Sequence, residues 1–138
     1  MRRNGSDQSF HDRVVRELAH ELGVKDEDAE VCANPGSAKN CDVGGLYPDV
    51  VVVRPIRGSR RRGGVEHIYE VETEDSVSET EALRQWLPYS EIGVDFTLVV
   101  PKRSVDDAMD LLVTHGIDAD VLPYVHLNSG EILFKWPE

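Results

Sequence analysis

No stretch of the 138-residue chain approaches the roughly 20 consecutive apolar residues that a membrane helix needs. No apolar run follows the opening Met-Arg-Arg-Asn-Gly either, so no secretory signal is read there and the cytoplasm is the expected location. Cysteine is scarce. Cys32 and Cys41 are the only two, they lack CxxC spacing, and without a secretory signal they read as reduced thiols rather than a disulfide or a zinc site. The serines form no GxSxG elbow, which leaves a hydrolase triad unsupported, and Gly44-Gly45 lacks the phosphate-loop pattern. His11, His20, His67, His115 and His126 have no ligand spacing and read as surface or core histidines. Repeats are absent, and the length suits one domain over residues 1–138 with a single core.

Positive charge is also in deficit. The net charge is −11, whereas a protein that grips DNA over a broad face usually has a basic balance. Overall repulsion from phosphate is the simple expectation. The arginines are unevenly spread, however: Arg54, Arg57, Arg60, Arg61 and Arg62 crowd into the arginine- and glycine-rich segment 54–64. That segment is either a solvated loop or a phosphate-contacting finger on an acidic body.

What is present reads as an α/β domain. Phe10, Val14, Leu18 and Leu22 recur at helical spacing, with Ser9 or Asp7 as a cap and Gly23 as a stop. A short strand is expected near Glu30–Ala33, then a glycine- and asparagine-rich loop. Val50 to Val53 is an unbroken β-branched run that suits a strand buried on both faces. The arginine segment joins it to a strand over Glu66–Thr73. Ser76 and Ser78 each open an S-x-x-E capping box before a helix carrying Ala82, Leu83, Trp86 and Leu87, which Pro88 should kink or end. A strand at Phe96–Val100, a helix from Ser104 to Gly116, and a hairpin of Val121–Leu127 with Ile132–Trp136 complete the order α-β-β-β-α-β-α-β-β.

Three carboxylates sit where strands should be buried. Asp49 opens the valine strand, while Glu70 and Glu72, two apart, leave one face of the next. A hairpin of these strands would bring all three together, where they repel unless a divalent cation neutralises them. Carboxylate oxygens with water suit Mg²⁺ or Mn²⁺. The alternative is that Glu70 and Glu72 face solvent while Tyr69 and Val71 face the core.

Pro48-Asp49 at one strand, Glu70-Val71-Glu72 in the next and a helix after them together resemble the PD-(D/E)XK nuclease superfamily. Gln85-Trp-Leu-Pro-Tyr89 is similar to the Q-xxx-Y signature of its RecB-like branch. The resemblance covers about residues 10–100. It implies a restriction endonuclease-like three-layer fold, a central mixed sheet flanked by helices. It also implies Asp49 and Glu70 as metal ligands, Val71 as a ligand through its carbonyl, and Glu21 as the acidic residue of the first helix. Gln85 would fix the site geometry. Arg57, Arg60, Arg61 and Arg62 would hold the backbone of nucleic acid, DNA in the first instance. Glu72 stands where the family carries lysine, and it would orient the attacking water or accept its proton; Lys39, Arg84 or Lys102 would supply a substitute charge. Pro88 inside Gln85–Tyr89 is a second departure, since a kink would turn Tyr89 away. The implied activity is metal-dependent phosphodiester hydrolysis. The alternatives are a catalytically silent module of the same fold, with a binding or regulatory role, and an unrelated α/β protein whose acidic strand faces water. Small members of the fold often pair, which implies a homodimer.

Overall fold

In the computed structural model, residues 5–55 and 64–137 are described. A six-stranded sheet in the order β1-β2-β3-β4-β5-β6 forms the middle layer. β1 (Glu30–Ala33), β2 (Val50–Val53) and β3 (Val65–Val71) form an antiparallel meander. β4 (Asp95–Pro101) and β5 (Asp120–His126) then continue parallel to β3, and β6 (Ile132–Phe134) turns back antiparallel. Each parallel step crosses over through helix. The first passes through α2 (Glu79–Glu81), a π-helical turn (Ala82–Trp86) and α3 (Leu87–Ser90), and the second through α4 (Val105–His115). With the stretch 79–90 counted as one helix, the observed order is the one expected from the sequence.

Both sheet faces are covered, and the valine strand shows how. Val50 and Val52 pack with Val14, Val15 and Leu18 of α1 (Gly5–Lys25). Val51 joins Ile68, Leu98, Trp86, Ala108 and Leu112 on the opposite face. Successive strand residues point to opposite faces, so an all-valine strand fits only between two apolar layers. The solvent-facing alternative for Glu70 and Glu72 is therefore removed: both are buried, on the face of Ile68.

Two local expectations are corrected. α1 does not stop at Gly23 but runs to Lys25, because Gly23 is not among the glycines with positive φ that end a helix. Pro88 neither breaks nor ends its helix. The preceding turn is widened to π geometry, with the Leu87 amide bonded to the Ala82 carbonyl, and the chain stays helical to Ser90. Other punctuation falls as expected: the Ser78 hydroxyl accepts the Glu81 amide at 3.2 Å, and Gly116 ends α4 at φ 63°.

Leu98, fully buried on central β4, anchors the helix-crossover face. Leu98→Ala should lower the unfolding free energy by about 2–5 kcal/mol, and Leu133→Ala on β6, more than a third exposed, by under about 1 kcal/mol. Urea denaturation midpoints check this, and equal losses would contradict the packing.

Candidate functional site

Pro48 has no amide to give to the sheet, and β2 begins only after it. Asp49, at this margin, replaces ladder contacts with its own groups. Its carboxylate Oδ2 accepts the Val71 amide at 2.8 Å, and its own amide donates to Glu70 Oε1 at 3.1 Å. Its carbonyl accepts the Asn34 amide at 2.9 Å. Asp49 and Glu70 are thus brought together as the hairpin implied. Val71 contributes its N–H, which points at Asp49.

His11 meets them from α1. Its Nε2 lies 3.0 Å from Asp49 Oδ2, and its Nδ1 lies 3.1 Å from Asp12 Oδ1. Each ring nitrogen of His11 thus faces one carboxylate oxygen, Asp49 on one side and Asp12 on the other. Burial pushes the Asp12 carboxyl up, but bonds from His11, the Gly36 amide and Gln8 outweigh it and hold the group below its ordinary range. Glu70 goes the other way. Burial first, then the charges of Asp49 and Glu72, push its carboxyl well above the usual glutamate range and favour the neutral form.

These groups open on a cavity of about 370 Å³. Its walls include Gln85, Tyr89, Lys39 and Asn34. The wide turn before Pro88 keeps Gln85 and Tyr89 on this one cavity, so the feared rotation of Tyr89 does not occur. Burial and the nearby carboxylates of Glu70 and Asp49 push the Tyr89 phenol up, and its hydroxyl donates to the Tyr47 carbonyl at 3.3 Å. Of the three cations expected to supply a positive charge here, Lys39 lines this cavity. Lys102 lines another, and Arg84 is exposed on the helix.

Two expected site residues stand elsewhere. Glu72, wholly buried, does not line the cavity: its carboxylate accepts from Trp86 Nε1 at 2.9 Å and from Ser76 Oγ. Glu21 accepts from Trp136 Nε1 at 3.1 Å and is likewise absent from the cavity wall. Arg57, Arg60, Arg61 and Arg62 lie outside the described residues. The Arg54 guanidinium bridges Asp26 and Glu66. Among the described residues no group of three or more His, Cys, Asp or Glu side chains could hold a metal ion by itself.

The sequence reading missed His11, Asp12 and Asn34. The signal for His11 was its place on the apolar stripe, three and four residues before Val14 and Val15 and seven before Leu18. Asn34 fixes the loop over the site, with its amide nitrogen donating to the Cys41 and Pro48 carbonyls, each at 2.7 Å. That loop carries the main correction. Cys32 and Cys41 are not reduced thiols but a disulfide, with their Cα atoms 6.4 Å apart. They are joined because β1 and the returning loop lie side by side, a proximity that their spacing in sequence does not encode.

No family model, curated protein or solved structure matches this chain.

The bridge closes a loop between residues nine apart. Opening it, by reduction or by replacing both cysteines with serine, should lower the unfolding free energy by about 2–3 kcal/mol. An unchanged urea midpoint in reducing agent would show that the thiols are unpaired.

Glu70 sets a pH dependence. A carboxyl raised in the folded state adds stability that is fully present below its ordinary value of 4.5 and is lost as pH rises through the folded value. Glu70→Gln keeps the neutral form at every pH. In metal-free buffer its melting temperature should gain on the wild type progressively as pH increases. Parallel pH curves for the two proteins would refute the shift.

Proposed function

We propose that this chain is a metal-dependent nuclease of the PD-(D/E)XK type, hydrolysing phosphodiester bonds of nucleic acid. One observation carries the reading: Asp49 and Glu70 converge at a polar cavity that also presents Gln85 and Lys39. The antiparallel meander followed by a helical crossover to parallel β4 supports the restriction endonuclease-like fold.

Two carboxylates fit Mg²⁺ or Mn²⁺, ions that take one or two protein carboxylates and complete their shell with water and substrate phosphate. A cation there would also relieve the repulsion that favours a neutral Glu70. Asp49 and Glu70 would hold the ion, which would supply charge for the scissile phosphate and a more acidic water. The protein's own groups do the rest. His11, backed by Asp12, fixes the Asp49 carboxylate; Gln85 orients the phosphate by hydrogen bonding; Lys39 supplies the positive charge that Glu72 withdraws from the family position. Glu72, locked to Trp86, is a positioning residue that ties the Gln85 helix to β3. Arg57, Arg60, Arg61 and Arg62 supply backbone contacts in this reading.

The sequestration of Glu72 favours a second reading, a silent module that binds nucleic acid without cutting it. Cleavage assays with Mn²⁺ or Mg²⁺ separate the two. Wild type should cut DNA or RNA, Asp49→Asn and Glu70→Ala should abolish cutting, and both variants should still bind. Divalent cation should raise the wild-type melting temperature and leave that of Asp49→Asn nearly unmoved. Binding without cleavage under any metal would establish the silent module instead.

A further inference from the structure

A second cavity, of about 340 Å³, opens where the parallel strands β3, β4 and β5 end, the edge at which open α/β sheets seat ligands. It is the neighbour of the Asp49 cavity. Gln8 and His11 of α1 line the first cavity, while Asp7 and Phe10, one step around the same helix, line the second. The β3 chain makes the same passage. Glu70 faces the first cavity and Thr73 the second, three residues or about 10 Å of extended chain further on. Glu72 lies between them, with its carbonyl accepting the Tyr124 hydroxyl at 2.8 Å, and Tyr124 lines the second cavity.

The lining has an aromatic part and a charged part, the latter of both signs, with Lys102 and Arg103 facing Asp7, Glu74 and Asp75. Phe10 and His126 form an aromatic pair with ring centroids 4.8 Å apart, next to Tyr124. Lys102, exposed at the end of β4, adds a cation; its neighbour Arg103 is paired with Glu74 at 3.6 Å. Aromatic rings beside a cation are the chemistry that holds single-stranded nucleic acid, bases by stacking and backbone by charge. The acidic residues on the same wall disfavour the denser phosphate array of a duplex.

We infer that this cavity is a subsite for single-stranded nucleic acid, taking a nucleotide that flanks the phosphodiester held at Asp49 and Glu70. The flanking role rests on the proposed hydrolytic function; binding at Phe10, His126 and Lys102 does not. The site gives an acidic protein a local means of holding a strand. It also makes one strand thread past the N-terminal turns of α1 from one cavity to the other.

The test uses the Lys102→Ala/His126→Ala double variant, because both side chains are exposed and their loss leaves the core intact. Binding of fluorescein-labelled oligothymidylate and oligouridylate is measured by anisotropy in EDTA, where no hydrolysis intervenes. The variant should bind at least about fivefold more weakly, the loss expected for one stacked base. Its salt slope should fall by about 0.7 for one lost phosphate contact. Hydrolysis of bis(p-nitrophenyl) phosphate with Mn²⁺, an ester small enough for the Asp49 cavity alone, should be unchanged. Wild-type affinity in the variant, or no oligonucleotide binding by wild type at low salt, overturns the subsite whatever the small ester shows. Weakened binding in the variant with no hydrolysis of either substrate by wild type keeps the binding site and removes the nuclease.

Discussion

The bond from the Val71 amide to the Asp49 carboxylate is the contact on which the site depends. It lets a side chain take over a backbone ladder at the place where proline has ended it. With carboxylate Oδ2 bonded to β3 and to His11, the Asp49 backbone reaches Glu70 and Asn34. Strand β3, helix α1 and the loop after β1 therefore meet at one residue. A carboxylate buried to this degree persists only with such partners, since burying it without them would cost several kcal/mol (order of magnitude).

The second buried acid is handled differently. Glu72 turns toward the crossover helix and is satisfied by the Trp86 indole and the Ser76 hydroxyl, while Tyr124 takes its carbonyl. It sets the helix that carries Gln85 and Tyr89 against the sheet. Over the opposite rim, Asn34 and the Cys32–Cys41 bridge give the Lys39 loop a comparable anchorage. Walls built from a helix and a clamped loop suit a site whose groups must hold fixed positions.

Much of this was legible in the chain. The run of valines required a sheet covered on both faces, and the helical stripes supplied the covering. Asp49 and Glu70 were visible because acids in buried strands need a compensating partner. The cysteine pairing was not legible, since two residues at unremarkable spacing say nothing of the loop that brings them together. The role of Glu72 depended on where one rotamer led, toward Trp86 or toward solvent, and strand alternation fixes only the face. His11 was hidden for the opposite reason: on an apolar stripe, a histidine that ligates or bonds an acid has the same pattern as one that merely packs. Pro88 misled because its cost falls on the missing amide, and a widened turn removes the need for that amide without breaking the helix.

The two tryptophans divide the molecule between them. Trp86 is sealed in the layer of the crossover helices and bonded to Glu72, while Trp136 lies on the α1 side, bonded to Glu21, with the Lys25 ammonium 4.2 Å from its ring. Each indole thus looks onto one face of the sheet and has its own charged neighbour. The protein carries an intrinsic optical label in each layer. Emission from Trp86 follows the wall of the candidate site and emission from Trp136 the far end of α1, so a pair of variants keeping one tryptophan each would tell loosening of one face from loosening of the other without an added dye.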